Sequence, residues 1–287
     1  MADTTGMADL RTENVSKVVN GFALQQFVMK QLVMTSSSTA WKESYFQEGA
    51  TELTANGNRN IKGIPRLAKF PYGEPNWTKQ SSYMEKYGQE GVVSYEDAKT
   101  NDIAVIARTL LRIARAVSNS VDLEIYSQLS SNAGNTETIS VGNEWDSATL
   151  ANRDPIQDLL NAQKLITIDN YNPYDGRTHL VLSPTDFANL LGNANVRNAG
   201  QFFTDAVTRN GRVGKLLGMT VLVYNVVAAD EALVVVAKEC GNWQAASPHT
   251  TVSIEDPGIK WTIRSWEIGV TQVTNPNTIA KIANTQA

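Results

Sequence analysis

The sequence predicts an α+β chain, because its strands and helices are mixed without a regular alternation of strand and crossover helix. Three observations carry that prediction. Ile103, Ile106, Leu110, Ile113, Val117, Val121 and Ile125 recur at spacings of three and four, with no Pro or Gly before Gly134, so one long helix stands alone. From 178 onward, short apolar runs bounded by turn residues read as strands with brief helices among them. Residues 36–100 fit neither pattern: they hold seven Ile, Leu, Val or Met side chains but nine of the 22 aromatics in the 287-residue chain. Such a segment buries too little apolar area to offset about 1–2 kcal/mol of backbone entropy per ordered residue. It is also too aromatic for a disordered chain. It reads as an extended arm that neighbouring subunits order.

Taken in chain order, residues 1–35 predict a short amphipathic helix with Phe22, Leu24, Phe27, Val28 and Leu32 on one face. Turn signals at 55–58, 62–65 and 71–75 punctuate the aromatic segment, and 70–95 has enough Tyr, Trp and Val for one long hairpin. Asn101 is the expected cap of the long helix, with Asp102 in its first turn complementing the helix dipole. About 28 residues at 1.5 Å each make a rod of roughly 42 Å. Its far side carries Arg108, Arg112 and Arg115, which read as a solvated or carboxylate-paired face, with phosphate contact as the alternative. Residues 131–153 read as a loop or weak hairpin.

Asp154 before Pro155 opens a helix of about four turns. A turn at 173–176 leads to a strand at 179–182, and Ser183-Pro-Thr-Asp186 starts another helix with the elements of a capping box. Strands follow at 219–224 and 231–237. Residues 250–273 are strand-like, with Trp261 and Ile263 on one face and Arg264, Trp266 and Ile268 on the other.

The totals exclude several function classes. A net charge of −4 lacks the basic excess of a nucleic-acid reader. A single cysteine, Cys240, rules out an intrachain disulfide framework and suits a reducing compartment. There is no targeting signal at the start, and the apolar stretch 220–237 is broken by Asn225, Asp230 and Glu231, so a soluble intracellular protein without membrane contact is expected. Catalytic constellations fail in turn. His179 and His249 give no zinc spacing, and His179 reads as a packed core residue. Gly211-Arg-Val-Gly-Lys215 lacks the first Gly and the magnesium-holding hydroxyl of a phosphate loop. Cys240 with His249 as base is conceivable from sequence proximity alone, and an inert apolar thiol is the plainer reading. No catalytic, cofactor or metal residue is assigned.

The order of parts resembles the major capsid protein of tailed bacteriophages, a fold shared with encapsulin shells and the herpesvirus capsid floor. THLVLSPTDFANLL (178–191), GKLLGMTVLV (214–223), ADEALVVVAKE (229–239) and WTIRSWEIGVTQVTNPNTIAKI (261–282) carry the likeness. The resemblance implies an N-terminal arm (1–40) and an extended E-loop hairpin with its flanks (41–100). It also implies a peripheral domain (101–149 and 241–271) with its spine helix at 101–130, and an axial domain (150–240 and 272–287). It further implies a homo-oligomer of pentamers and hexamers closing an icosahedral shell. Scaffolding, portal and decoration proteins are further partners. The shell encloses double-stranded DNA without sequence-specific binding and is assembled in the host cytoplasm. No cofactor is implied. Only about 40 residues precede the loop, so scaffolding is expected from a separate protein, or not at all, if the chain is the full product.

Within the arm, Trp41, Phe70, Tyr72 and Trp77 are the expected intersubunit contacts, joined by Lys79. Some members of the family weld such a lysine to a neighbour's asparagine beside a buried glutamate. Glu267 stands near the glutamate position, but 259–261 holds no asparagine, so the resemblance implies a noncovalent clasp in which Lys79 pairs with a neighbour. An encapsulin-type compartment around enzyme cargo and a monomeric α+β enzyme are the alternatives.

Overall fold

The computed structural model describes residues 10, 12–24, 27–49, 64–69, 77–100, 103–193, 196 and 215–287. Helix α1 (Thr12–Leu24) buries Val15, Val19 and Ala23, one every four residues, and ends before Phe27, Val28 and Leu32, so the expected face from Phe22 to Leu32 is not one helical stripe. Phe27 N–H still donates to Ala23 O at 3.2 Å, and the two amides after it turn to a different partner. Val28 and Met29 donate their N–H groups to the two carboxylate oxygens of Asp122, at 2.9 and 3.1 Å, which sets a single 3₁₀ turn at Met29–Gln31.

Four strands then follow: β1 (Met34–Ser37), β2 (Lys42–Glu48), β3 (Trp77–Tyr83) and β4 (Glu85–Ser94). The single hairpin expected over 70–95 does not form. β3 pairs antiparallel with β2, and β4 pairs with a strand more than 160 residues away, β11 (Lys260–Val273). Only Met84 lies between β3 and β4, too short a link for a two-residue turn. Met84 is buried and its N–H donates to Trp41 O at 3.0 Å, so the chain passes straight from ribbon into sheet. After β4 comes the short helix α2 (Tyr95–Thr100), and Val93 and Ala98 are fully buried in this chain's own core. The core deficit of 36–100 therefore belongs to its first part, not to its last fifteen residues.

Helix α3 (Ile103–Ser131) buries Ile106, Leu110, Ile113, Val117, Val121 and Ile125, as its spacing predicts, and continues to Leu129. Its expected cap at 101–102 lies outside the described residues. The N-terminal half of α3 and α1 cover one face of a four-stranded sheet ordered β1-β10-β11-β4, with β10 spanning Gly241–Asp256. The strand-like stretch 250–273 is two strands, folded at Pro257-Gly258. Gly258 adopts φ +75° and Ile259 N–H donates to Asp256 O at 3.0 Å, the geometry of a Pro-Gly type II turn.

A second sheet has the order β5 (Asn135–Thr138), β12 (Ile279–Ala283), β9 (Glu231–Val236), β6 (Thr178–Leu182), β8 (Met219–Val223) and β7 (Lys215–Leu216). Its central strand β9 is apolar on both sides because both are covered. Leu233 and Val235 meet the C-terminal half of α3, while Ala232, Val234 and Val236 meet α4 (Pro155–Ile168) and Trp145. The two predicted caps form: Asp154 accepts from Gln157 N–H, and Ser183 accepts from Asp186 N–H at the start of α5 (Pro184–Gly192). No helix among the described residues is long and apolar enough to cross a membrane.

Candidate assembly surface

The β2–β3 ribbon is the feature of this fold that its own core does not explain. Strand periodicity and the register Phe46↔Lys79, Glu48↔Trp77 and Lys42↔Tyr83 place Lys42, Ser44, Phe46, Lys79, Ser81, Trp77 and Tyr83 on one face. That face is open: Phe46, Trp77 and Tyr83 are each more than half exposed (56, 55 and 59 %), and Trp41 just before β2 is 60 % exposed. The rings of Phe46 and Trp77 meet edge to face, 5.4 Å between centroids, and Lys42 Nζ lies 5.2 Å from the Tyr83 ring centre. Exposed aromatics at both ends of one ribbon face, the Phe46–Trp77 pair at one and Tyr83 at the other, are an unusual use of apolar area, and exposed apolar surface of this kind marks an interaction surface.

The ends of the ribbon rest on their own chain. Glu48 N–H donates to Thr274 O at 2.9 Å, Asn277 Nδ2 to Gly49 O at 2.9 Å, and Tyr171 OH to Glu48 Oε2 at 2.5 Å. Burial, reinforced by Glu48, pushes the Tyr171 hydroxyl up, so it stays a donor. Gln272 Nε2 donates to Ser82 Oγ at 3.3 Å near the opposite end. The described part of the arm is thus anchored near both ends, with Phe46, Trp77 and Tyr83 left open.

Of the residues singled out in the sequence, Trp41, Trp77 and Lys79 fall on or beside this surface, whereas Phe70 and Tyr72 lie outside the described residues. Sequence reasoning passed over Phe46 and Tyr83. The alternation within Lys42–Glu48 and Trp77–Tyr83 carried the signal, and the assumption that β3 would pair with β4 hid it.

Glu267 is buried, 2 % exposed, but its partners come from its own chain. Lys30 Nζ donates to Glu267 Oε1 at 2.5 Å and Trp243 Nε1 to the same oxygen at 2.9 Å. Burial lowers the Lys30 ammonium from its usual range, against the pull of Glu267 and Asp122. Glu267 therefore ties the N-terminal segment to the sheet, and no sequence signal in 27–34 announced Lys30 as its partner.

The nucleophile–base pair imagined for Cys240 and His249 is not assembled. Cys240 is buried, its thiol pushed up to about 12 by desolvation, and it donates to Leu32 O at 3.4 Å. His249 instead joins Asn20 Oδ1 (2.6 Å) and Ser265 Oγ (3.0 Å). Ser265 is fully buried, so this relay fastens α1 to the sheet and offers a substrate nothing to reach. His179 is half-buried rather than a core residue, its Nδ1 2.8 Å from Arg177 O. Of the loop resembling a phosphate-binding turn, 211–214 lie outside the described residues.

Comparison with known proteins agrees with a structural role. The fold matches the virus-like particle from Pyrococcus furiosus at a TM-score of 0.62 and 11 % identity, over 94 % of this chain and 98 % of that one. It matches Mycobacterium phage Che8 at a TM-score of 0.64 and 17 % identity, over 91 % and 93 % of the two chains. The capsid of cyanophage P-SCSP1u matches at 0.66 and 11 % identity, over 90 % and 88 %. A search of the curated proteins finds no match to this sequence. The profile of the phage capsid protein family matches residues 78–282, from the second residue of β3 to the penultimate residue of β12. With a family match over most of its length, this chain belongs to the phage capsid protein family and is a structural, non-enzymatic capsid subunit of the virion.

Proposed function

We propose that identical copies of this chain form pentamers and hexamers that close an icosahedral shell around a double-stranded DNA genome, with the β2–β3 ribbon clasping the adjacent subunit. The observation that carries this reading is the open face of Phe46, Trp77 and Tyr83. A neighbour covering those rings removes their area from water at roughly 25 cal/mol per Å². Being large and rigid, they are the side chains that dominate contact energy. The clasp is noncovalent: Glu267, the carboxylate that would assist a weld, is occupied by Lys30 and Trp243 of its own chain. Lys79, exposed opposite Phe46 in the register, pairs electrostatically with a neighbour. Scaffolding, portal and decoration proteins act on the outside of this basic scheme, and assembly takes place in the host cytoplasm.

Negative-stain electron microscopy of the purified protein tests the reading. Closed shells of uniform size are expected, with nucleic acid inside particles recovered from infected cells. A stable monomer at high concentration overturns the assembly reading, and shells filled with protein cargo replace the genome with an enclosed enzyme.

A further inference from the structure

Most arginines whose side chains are placed outside α3 are engaged. Arg264 Nε lies 2.5 Å from Glu90 Oε1, Arg177 sits between Asp175 and Glu239, and Arg153 donates to the carbonyls of Asp146 and Ser147. On α3 the pattern reverses. Arg108, Arg112 and Arg115 are exposed and none forms an ion pair or hydrogen bond with a described residue. The spacing i, i+4, i+7 puts them within an arc of about 60° and spreads them over about 10 Å of helix.

The helix supplies no counter-charge. Its two carboxylates are Asp122, buried and bonded to the amides of Val28 and Met29, and Glu124, which accepts from Gln128. The neighbouring elements bring little: α1 exposes Glu13 and Lys17, which cancel, and α2 brings Glu96 and Asp97 against Lys99, none of them bonded to the three arginines. A cationic stripe with no paired carboxylate among the described residues, on a chain of net charge −4, is a local feature with a chemical preference.

We infer that this stripe is a phosphate-contact surface, and that the exposed side of α3 faces the nucleic acid enclosed by the shell. The inference rests on the proposed role as a genome container and adds to it which side of the subunit meets the genome. Three details favour a nucleic-acid backbone over an acidic protein. The cations are arginines, whose planar forks match phosphate oxygens two at a time. The exposed residues beside them, Ala107, Asn119 and Ser120, are small or polar, and the exposed apolar Leu123 lies about two turns beyond Arg115, so the arginine stretch itself carries no apolar anchor. A straight helical stripe tracks a backbone without entering a groove, which gives contact without sequence readout. Three contacts per subunit are individually weak and become significant only through the many copies of a shell, so the genome is held yet free to leave.

The test compares the wild-type subunit with the Arg108→Gln, Arg112→Gln, Arg115→Gln triple variant, binding a DNA duplex of about thirty base pairs by fluorescence anisotropy. The expected result is a slope of log affinity against log salt that is shallower by about 2.7 in the variant, three phosphate contacts at about 0.9 each. Arg264→Gln on the opposite sheet face is expected to leave the slope unchanged. In ultraviolet-irradiated filled particles, nucleotide adducts are expected on peptides spanning 108–115. An unchanged slope in the triple variant, adducts confined to other peptides, or equal binding of polyglutamate each overturns the inference. Shell formation by electron microscopy is read separately. Shells that form normally alongside an unchanged slope sink the stripe alone, and a wild-type chain that forms no shell sinks the container reading.

Discussion

Phe46 and Trp77 stand on different strands of the ribbon, two residues out of direct register, and their rings meet edge to face at 70° with both more than half exposed. The pair is preorganised: each ring restricts the other before any partner arrives, which lowers the entropy lost on docking. Trp77→Ala is expected to leave a folded subunit whose stability changes by no more than about 1 kcal/mol, because the side chain supports no core. The same change is expected to cut the yield of shells strongly. Thermal unfolding of the subunit and size-exclusion chromatography of the assembly reaction check both halves, and an unfolded Trp77→Ala subunit would refute the docking role.

The Lys30–Glu267 contact predicts an asymmetric response to mutation. Lys30→Met leaves a buried carboxylate without its cation and is expected to destabilise the subunit by about 3 kcal/mol. The double variant with Glu267→Leu is expected to recover most of that loss, because an apolar pair removes both desolvation costs together. Urea denaturation of the four proteins of the cycle measures the coupling. Additive single effects would show that the contact contributes nothing.

His249 predicts how acid acts on the docking of α1. Burial lowers its pKa below the free value of 6.5. The folded state therefore binds the proton less readily than the unfolded chain. Stability from this group is present above the unfolded pKa and is lost as pH falls through the folded one. Asp122 works in the opposite sense: desolvation raises it to about 6, so the folded state takes up its proton first and gains stability as pH falls from there toward 3.8. His249→Gln is expected to become relatively more stable than wild type as pH drops below 6.5. Thermal midpoints of the two proteins across pH 4 to 8, roughly, decide it, and a constant difference would remove His249 from the acid response.

Two glycines predict opposite signs. A Cβ on Gly269 would lie 2.6 Å from Trp243 Cζ2 and 2.9 Å from Gln244 O, so Gly269→Ala is expected to cost about 1–3 kcal/mol through overpacking against a ring that cannot retreat. A Cβ on Gly21, inside α1, would meet nothing within 4 Å. Gly21→Ala is expected to stabilise by about 0.5–1 kcal/mol by restricting the unfolded chain. Chemical denaturation of both variants checks the signs.

Local chemistry made much of this fold legible. The long helix was visible because its spacing repeats over about six turns, and α4 and α5 because Asp154-Pro155 and Ser183-Pro184 state their starts within a few residues. The arm was visible as a shortage of aliphatic side chains, and the likeness of 178–191 and 261–282 to a capsid subunit followed from order and pattern. The ribbon's partner was not visible, since β3 is as able to pair with β4 as with β2 until Met84 is buried and its amide is taken by Trp41. Nor was the 3₁₀ turn after α1, where Asp122 ninety-odd residues away captures two amides, or the choice of Lys30 by Glu267.

By itself, the sequence determined which segments are helical, which are extended and which stretch cannot pay for its own ordering, because periodicity, capping and composition act within a few residues. Only the tertiary structure decided which aromatics face outward, which carboxylate holds which amide, and which arginines are left without a partner among the described residues. Those outcomes depend on packing between residues far apart in the chain, where burial and long-range pairing outweigh local preference.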